Sequence, residues 1–461
     1  MSNKSYLIAF LVLVLVTLAC SSTANTLEKA AQDSTITSVS SSIGEPVGTK
    51  PVNPSEIQLP TNTPEPLPTA TIPAEPLQLV DGPVFVQSSI RVDGIFVVQN
   101  PNSTQAISSS QYQATIYDES GNILDTDSGY IEIVLPDEKI PVVSNMFVEE
   151  GQKAAKIDVQ IVSGTAEATE LQPPLFTADQ ITFIADQYFP KVTAILKNNF
   201  QRSFSTLRVT AIAYDDQGSI VGGGYTYLDF LPGGGQAGVE VSVNIKGTPA
   251  KVDLAATVSS LSILTEDNSQ NQSVQLIDSG WSQNRQTVSV GFLVKNNTDQ
   301  VVDGTQYQAT AYDDAGNVLD TQSGYLSYIF PNEQTAGAVS LYLPAGAKSA
   351  KVDIQINPGS SSTFALASNP FTTENVNFLA GTYSSKVTGM LKNSYQDKIS
   401  NVEIVAIGYD KDGNIIVGGF TYVDFVPGNG QAAFEILVDF AQKPEKVDIY
   451  PSLGGISSIG D

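Results

Sequence analysis

Hydrophobic and polar residues alternate along a stretch that ends in a short turn, and this unit recurs along the chain. From Tyr307 to Tyr312 every second residue is suited to burial, which is the period of a half-buried β-strand. The turn follows at 313–317, and Val318 and Leu319 begin an apolar return strand. Because an Asp at a turn entry accepts backbone hydrogen bonds and Gly reaches the left-handed conformation, the segment predicts a hairpin.

Four sequence markers repeat in the same order, which indicates four copies of one unit. Tyr-Asp pairs begin at Tyr117, Tyr214, Tyr312 and Tyr409, at spacings of 97, 98 and 97 residues. The other markers are Lys-(Ile/Val)-Asp, a Gly before an aromatic residue, and a Pro after that strand: Lys156, Lys251, Lys351 and Lys446; Gly129, Gly224, Gly324 and Gly419; Pro136, Pro232, Pro331 and Pro427. Copies one and three share Q-Y-Q-A-T, and copies two and four share K-V-T and L-K-N. A two-module unit has therefore been duplicated once. The spacing between single copies is the size of a small domain.

The copies are predicted to occupy residues 77–164, 179–264, 273–359 and 374–461. Each shows short strands separated by turn residues about every 8 to 12 residues, without a helical period. The sequence therefore predicts an all-β protein of four tandem immunoglobulin-like antiparallel β-sandwich domains in two duplicated pairs. In copy four the predicted strands are Lys386–Lys392, Val402–Tyr409, Ile415–Val417, Gly419–Phe425, Ala433–Asp439 and Lys446–Tyr450.

The segments between copies suggest two kinds of link. Phe176 and Phe371 occupy matching positions before copies two and four, so both are predicted to pack at the junction inside each pair. The link between the pairs, Thr265–Gln272, is polar and is predicted to flex. Trp281, the only Trp, is predicted to anchor a core.

The N-terminal residues predict export and anchoring. Residues 1–20 have a basic start and an apolar run too short to span a bilayer comfortably, as in a signal peptide. The segment Thr17-Leu18-Ala19-Cys20 resembles the lipobox of bacterial lipoproteins, which implies a lipid on Cys20 and a place on the extracytoplasmic face of a membrane. Residues 21–76 are rich in Ser, Thr and Pro and predict a disordered tether.

The repeated pattern also resembles a known family of surface domains. Each copy has a strand ending in Tyr-Asp, then a Gly-containing turn and a strand that ends in Pro; K-N-N precedes this pattern in copies two and three. This is similar to the FxLYD family of bacterial surface domains, although Ala stands where that family has Phe: Ala114, Ala211, Ala309 and Ala406. The resemblance covers all four copies and implies no catalytic residues.

Charge and composition exclude several functions. The formal net charge is −25 with a pI near 4.2, which opposes binding to nucleic acid and to anionic lipid. The chain has no His and one Cys, so it lacks the usual general base, the Ser-His pair and Cys-rich zinc sites. No cofactor is expected, and the protein is not expected to be an enzyme.

Acidic turns are the first candidate site. Asp313 and Asp314 in copy three, and Asp410 and Asp412 in copy four, offer oxygen ligands that suit Ca²⁺. No Glu closes either loop as in an EF-hand. Hairpin turns use the same residues, and that interpretation is preferred, so no metal site is predicted.

Exposed aromatic pairs are the second candidate. On the strands after the turns of copies two and four, Leu228 with Phe230 and Val423 with Phe425 are predicted to face the cores. Four aromatic residues then face outward as a candidate binding face: Tyr225, Tyr227, Phe420 and Tyr422. Such rings stack on sugars or take an anchor residue of a partner, or pack against a neighbouring module.

The sequence as a whole predicts a non-catalytic surface lipoprotein that acts as a binding or spacer module. Its partner would be an envelope protein or a polysaccharide, in addition to the membrane that holds its lipid. Two alternatives remain: an enzyme that acts on glycans through carboxylates alone, which needs two facing Asp or Glu residues in a cleft, and a pure structural stalk.

Overall fold

The computed structural model describes residues 74–186, 189–265, 273–381, 385–439 and 443–460. The chain divides into two units, 1–70 and 71–461, and the described residues all belong to the second. The predicted leader with Cys20, the tether up to residue 73, and residues 266–272 of the link between the pairs lie outside the described residues. The described residues form strands and turns and contain no α-helix.

The strands form four β-sandwich modules, so the predicted all-β fold of immunoglobulin-like sandwiches in two pairs is confirmed. Module 1 contains β1 (Gln78–Ser88), β2 (Arg91–Gln99), β3 (Gln105–Tyr117), β4 (Ile123–Val134), β5 (Lys139–Phe147), β6 (Lys156–Val162) and β7 (Thr165–Ala168). Module 2 contains β8 (Phe176–Ile184), β9 (Lys191–Asn198), β10 (Ser203–Tyr214), β11 (Ile220–Leu231), β12 (Gln236–Ser242), β13 (Asn244–Ile245), β14 (Lys251–Thr257) and β15 (Ile263–Thr265).

The second pair repeats this order of strands. Module 3 contains β16 (Val274–Asn284), β17 (Thr287–Asn296), β18 (Val301–Asp303), β19 (Gln306–Tyr312), β20 (Val318–Tyr325), β21 (Gln334–Tyr342), β22 (Lys351–Asn357) and β23 (Ser360–Ser362). Module 4 contains β24 (Phe371–Leu379), β25 (Ser385–Asn393), β26 (Ile399–Tyr409), β27 (Ile415–Val426), β28 (Gln431–Val438) and β29 (Lys446–Ile459).

Each module packs two antiparallel sheets against each other. The sheet that we call the first sheet has the order β1-β2-β5, β8-β9-β12, β16-β17-β21 or β24-β25-β28. The second sheet has the order β4-β3-β6, β11-β10-β14, β20-β19-β22 or β27-β26-β29, and short strands extend it in modules 1 and 2. The side of a sheet turned away from its own core is called its outer face.

The Tyr-Asp turns form as their chemistry predicts. In module 3 the Oδ1 atom of Asp313 accepts hydrogen bonds from the backbone N–H groups of Ala315 (3.0 Å) and Asn317 (2.8 Å). Its Oδ2 atom accepts one from the Asn317 side chain (2.9 Å), and Gly316 takes a φ of 84°. The left-handed Gly closes the turn without a steric cost. Asp118 and Asp410 make the same three bonds in modules 1 and 4.

A buried Asn at the end of the second strand ties each module together. The Nδ2 group of Asn296 lies within hydrogen-bond distance of the carbonyl oxygens of Gln300 (2.7 Å), Ile329 (2.9 Å) and Phe330 (3.0 Å). Its Oδ1 atom accepts a bond from the N–H of Thr298 (2.9 Å). Buried polar groups need such partners, so this residue fixes two loops to one strand end. The other modules have the same arrangement at Asn100, Asn198 and Asn393.

One prediction about core residues is wrong, and another holds only in part. Phe425 is 54% exposed, and Val426 takes the core position beside Val423. In module 2, Leu231 joins Leu228 in the core cluster, whereas Phe230 is buried outside it. The strand beside each of these residues carries a left-handed residue at that level, Asn401 or Thr206, each with a φ of 54°. This local irregularity breaks the alternation on which the predictions depended.

The predicted junction residues behave differently. Phe371 is buried in one cluster with Val301 and Phe330 of module 3, as predicted for a residue inside the second pair. Phe176 instead packs against the core of module 2, with its ring edge-on to that of Phe204 at a centroid distance of 5.2 Å. Trp281 is partly buried against a core cluster of module 3.

Candidate functional site

The four candidate aromatic residues lie on the outer faces of two second sheets. Tyr225 and Tyr227 lie on β11 with ring centroids 5.9 Å apart and planes at 86°. Phe420 and Tyr422 repeat this on β27 at 6.1 Å and 87°. The edge-to-face geometry is a favourable one for aromatic pairs. Tyr227 is 41% exposed and Phe420 and Tyr422 are each 48% exposed, whereas Tyr225 is only partly exposed.

Tyr225 lies at the junction between modules 1 and 2 and is contacted there. The guanidinium of Arg208 lies 4.0 Å from the centroid of its ring, which is cation–π geometry. Arg208 also donates a hydrogen bond from Nη2 to the carbonyl oxygen of Val143 in module 1. Burial raises the pKa of the Tyr225 hydroxyl. One face of this ring is therefore occupied, so Tyr225 is less suited to stack on a ligand than the sequence predicts.

Two small pockets border this aromatic pair. One, of about 220 Å³, lies between modules 1 and 2 and is lined by Tyr112, Asp127, Arg208, Tyr225 and Tyr227, among others. The other, of about 300 Å³, lies between modules 2 and 3, where Asp229 and Glu240 join the same two tyrosines. Ligand pockets usually measure about 300–1,000 Å³. These spaces are therefore at or below the size that encloses a small organic ligand.

Module 4 presents its aromatic residues more openly. Tyr422 and Phe425 line a shallow space of about 420 Å³ together with Asp424 and Ala433. Phe420 lies beside Tyr422 on the same strand. Beneath them Glu403 is hydrogen-bonded to Tyr422 and accepts a bond from Ser327 of module 3, and burial raises the pKa of Glu403. The exposed rings Phe420, Tyr422 and Phe425 form one aromatic patch, which we call the module 4 patch.

A group of three charges, of which Asp320 is buried and the other two are partly buried, lies between modules 2 and 3. The Nζ atom of Lys191 is 2.6 Å from Oε2 of Glu240 and 3.3 Å from Oδ1 of Asp320. The Oδ2 atom of Asp320 accepts a hydrogen bond from the N–H of Tyr342 (2.6 Å). Burial, and then the neighbouring Asp320, raise the pKa of Glu240 to about 7. Lys191 pairs with both carboxylates, so they hold a junction together rather than face each other across an open cleft.

The acidic turns use their oxygens within the turn. Both oxygens of Asp313 and of Asp410 accept hydrogen bonds from their own loops. The side-chain and backbone bonds from Asn414 lower the pKa of Asp410. Asp314 and Asp412 stand beside these turns, and Lys411 pairs with Asp412 at 3.3 Å. Across the described ranges, no group of three or more His, Cys, Asp or Glu residues could hold a metal ion.

Sequence reasoning missed the residues that join the modules. Ile212 and Ile407 are buried in apolar clusters between modules 1 and 2 and between modules 3 and 4. Thr193 and Thr310 lie in the polar contact between modules 2 and 3. The signal was present in the sequence. The residue two places before the turn Tyr alternates along the four copies, as Thr115, Ile212, Thr310 and Ile407.

Comparison with known proteins identifies no family for this chain. No family model matches the chain, and no curated protein matches its sequence. Two of the solved structures that match show how low the similarity is. Alpha-2-macroglobulin from Escherichia coli, activated by porcine elastase, has 12% identity and a TM-score of 0.13 over 84% of this chain and 45% of that one. A mutant Salmonella alpha-2-macroglobulin has 10% identity and a TM-score of 0.13 over 84% of this chain and 30% of that one.

The chain thus spans less than half the length of either protein. Within the described part of the chain, no helix is long and apolar enough to cross a membrane.

Proposed function

We propose that the chain is a non-catalytic lipoprotein on the extracytoplasmic face of a membrane, and that its modules display a binding face for an envelope polysaccharide or protein. The observation that carries the binding role is the module 4 patch, in which Phe420, Tyr422 and Phe425 are each about half exposed. Monomeric proteins rarely leave neighbouring aromatic rings in water without a partner. Flat rings beside polar groups are suited to stacking on sugars.

The non-catalytic part of the proposal is supported by how the polar groups are used. The described carboxylates with raised pKa values include Glu138, Glu240, Glu333 and Glu403, and each is bonded within or between modules. A carboxylate-only glycosidase needs an acid and a second carboxylate on either side of a sugar. Glu240 and Asp320 are two neighbouring carboxylates, but Lys191 bridges them.

Anchoring is proposed from the sequence. The lipobox-like segment ending at Cys20 and the Ser/Thr/Pro-rich residues that follow support a lipid anchor and a spacer. The resemblance of the four copies to FxLYD surface domains supports the same location. Labelling cells with a radioactive fatty acid tests the anchor, because Cys20→Ser should abolish incorporation into this chain while leaving its export intact.

The binding role is tested by sedimentation of the full chain with purified cell-wall polysaccharide. The double variant Tyr422→Ala/Phe425→Ala should lower co-sedimentation at least about tenfold, since fully burying one ring of this size against a ligand is worth about 1.5–3 kcal/mol. The control is Tyr342→Ala, which removes a ring that is 64% exposed from another module. Equal binding by the double variant and the parent would remove the polysaccharide hypothesis. Release of reducing sugar by the parent that is lost in Glu240→Gln would favour the enzyme.

A further inference from the structure

All three junctions between modules use the same two faces. The outer face of a first sheet packs against the outer face of the second sheet of the next module. Between modules 1 and 2 the contact joins Ile95 and Val143 to Ile212, and between modules 3 and 4 it joins Leu293 to Ile407. Modules 2 and 3 meet in the same way through polar residues. Among the described residues, the first-sheet face of module 4 and the second-sheet face of module 1 are the two such faces that are not packed against another module.

The junction between modules 2 and 3 is held by a defined set of polar contacts. The hydroxyl of Thr193 donates to the carbonyl oxygen of Val318 at 2.8 Å. Two side-chain amides of module 3 donate to backbone carbonyls of β12. With the Thr193 bond the set comprises five contacts, and the other four are Gln308 to Gly238 (2.5 Å), Gln355 to Gln236 (2.7 Å), Ser323 to Asp229, and the Lys191–Asp320 pair (3.3 Å). Four of these five contacts join a residue of the first-sheet face of module 2, or its edge, to the second-sheet face of module 3.

The face of module 1 carries the same residues as the contacting face of module 3. Alignment on the turn tyrosines Tyr117 and Tyr312 places identical side chains at each contact position. Gln113 matches Gln308, Thr115 matches Thr310, Asp125 matches Asp320, Ser128 matches Ser323, and Gln160 matches Gln355. The second-sheet face of module 1 is therefore a copy of a surface that already binds a module.

The face of module 4 matches the contacting face of module 2 almost as closely. Alignment on the buried Asn198 and Asn393 gives the correspondence. Lys386 matches Lys191, Thr388 matches Thr193, Asp424 matches Asp229, Gln431 matches Gln236, and Glu435 matches Glu240. Lys386 and Glu435 also pair with each other at 2.9 Å, as Lys191 and Glu240 do at 2.6 Å. The charges on this face are thus arranged as in the internal junction.

The two sets of faces differ sharply in exposure. At the internal junction Thr193 is fully buried, and Gln308 and Asp320 are 3% and 2% exposed. On the terminal modules the matching Thr388 and Asp125 are partly exposed and Gln113 is exposed, and Ala433 is exposed where Gly238 is buried. Among the described residues, both faces therefore remain open to solvent with their contact residues in place.

We propose that these two faces bind each other between copies of the chain, so that module 4 of one molecule docks on module 1 of the next. The contact would repeat the internal junction: Lys386 with Asp125, Thr388 with the carbonyl of Ile123, and Gln113 with the carbonyl of Ala433. Because the two faces differ, the contact is heterologous and each added copy presents a new open face. This inference goes beyond the proposed function and does not depend on lipidation or on the module 4 patch.

One difference between the internal junction and the contact between copies is expected to make the latter weaker. Position 238 is Gly, and a Cβ there would lie 2.4 Å from Cγ2 and 2.7 Å from Oγ1 of Thr310. The matching residue on module 4 is Ala433, so its methyl group meets Thr115 in the same docking. The threonine must rotate away to admit it, and forcing an extra methyl group into a packed contact costs free energy. Association between copies should therefore be weaker than the internal junction and should depend on concentration.

The test measures the mass of the full chain by analytical ultracentrifugation over a range of concentrations. All proteins carry Cys20→Ser, in one non-ionic detergent and at about 0.15 M salt, where exposed charges are screened beyond about 8 Å. Gln113→Arg blocks the face of module 1, and Ala433→Arg blocks the face of module 4. Both residues are exposed on their strands, and unchanged melting temperatures confirm that the variants fold. A variant with both changes measures any association through other parts of the chain.

The parent should grow in mass with concentration, and each single block should weaken association at least about a hundredfold, because it buries an unpaired charge. A mixture of the two single variants should form complexes of one copy of each and nothing larger, since each retains one working face. Ala433→Gly should associate at least about tenfold more tightly than the parent.

Three results would overturn the proposal. The first is a constant mass for both the parent and Ala433→Gly. The second is a single or double block that associates as well as the parent. The third is a mixture of blocked variants that forms no complex while the parent associates.

Discussion

The junctions inside the two pairs differ from the junction between the pairs, although the same faces meet in all three. Inside the pairs the central residue of the second-sheet face is Ile, at Ile212 and Ile407, each 0–1% exposed in an apolar cluster. Between the pairs that position is Thr310, which lies against Gly238, and Thr193 and the charges Lys191, Glu240 and Asp320 belong to the same junction. The same faces thus meet in all three junctions, through apolar contacts inside the pairs and through polar contacts between them.

This difference indicates which junction can open. Apolar burial stabilises a contact at every pH, at about 25 cal/mol per Å² of area removed from water. A buried cluster of charges gains little net free energy, because the loss of hydration offsets the attraction. The pairs are therefore expected to behave as the more durable units, and the contact between them as the one that responds to pH and to single substitutions.

The largest effect is expected from shortening an apolar junction residue. Ile407→Ala and Ile212→Ala should each lower the free energy of unfolding by about 2–5 kcal/mol, since both remove buried methyl groups and leave a cavity. Urea unfolding of the full chain measures this. Ile123→Ala, at a position that is 62% exposed, is the control and should change stability by less than about 0.5 kcal/mol. Equal losses at all three positions would contradict the proposed stabilisation of these junctions by buried apolar residues.

A smaller effect is expected from adding a methyl group between the pairs. Gly238→Ala places a Cβ against Thr310 and should lower stability by about 1–3 kcal/mol. The strand itself accepts Ala at this place, because module 4 carries Ala433 there. A melting temperature equal to that of the parent would mean that modules 2 and 3 do not touch at this point.

The response to pH should separate the two kinds of junction. The pKa of Glu240 is raised to about 7 from its usual 4.5. Between these values the folded chain keeps a proton that the unfolded chain has lost, so this group makes stability fall as pH rises from about 4.5 to about 7. Glu240→Gln should remove that slope in the melting temperature. Glu435→Gln, at the exposed matching position, should leave it in place, and an identical slope in all three proteins would contradict the assignment.

The smallest effect is expected from a lesion inside one module. Asp313→Ala removes the acceptor of three local hydrogen bonds in a solvent-facing turn. Exposed bonds of this kind contribute modestly, so the loss should be about 1 kcal/mol. Hydrogen exchange should rise in the turn between β19 and β20 and stay unchanged at the junction of modules 2 and 3. Faster exchange at Thr193 would show that the turn affects the junction, and it would contradict the expected independence of the two regions.

The fold was largely predictable because each repeat marks its turn with two residues, an Asp at the turn entry and a Gly within the turn. The first strand of module 4, Phe371–Leu379, was missed since its mostly exposed residues show no apolar alternation. Ile415–Val417 and Gly419–Phe425 were predicted as two strands and form one, because Gly418 stays extended where it meets Gly291 of module 3. Glycine at this position allows modules 3 and 4 to approach closely and does not interrupt the strand.

The candidate sites were less predictable, for a physical reason. An outward-facing residue has the same sequence pattern whether it meets water, a ligand or another module. Tyr225 and Phe420 occupy matching positions, yet Arg208 covers Tyr225 and the matching residue in module 4 is Glu403. Only the arrangement of the modules distinguishes a covered ring from an open one.

The contact between modules 2 and 3 is tested most directly by a double-mutant cycle on Gly238 and Thr310. The free energy of unfolding is measured for the parent, Gly238→Ala, Thr310→Ala and the double variant. The account predicts a coupling of at least about 1 kcal/mol, with the cost of the added methyl group reduced when Thr310 is shortened. Two costs that simply add, within about 0.5 kcal/mol, would contradict it, because residues without contact behave independently.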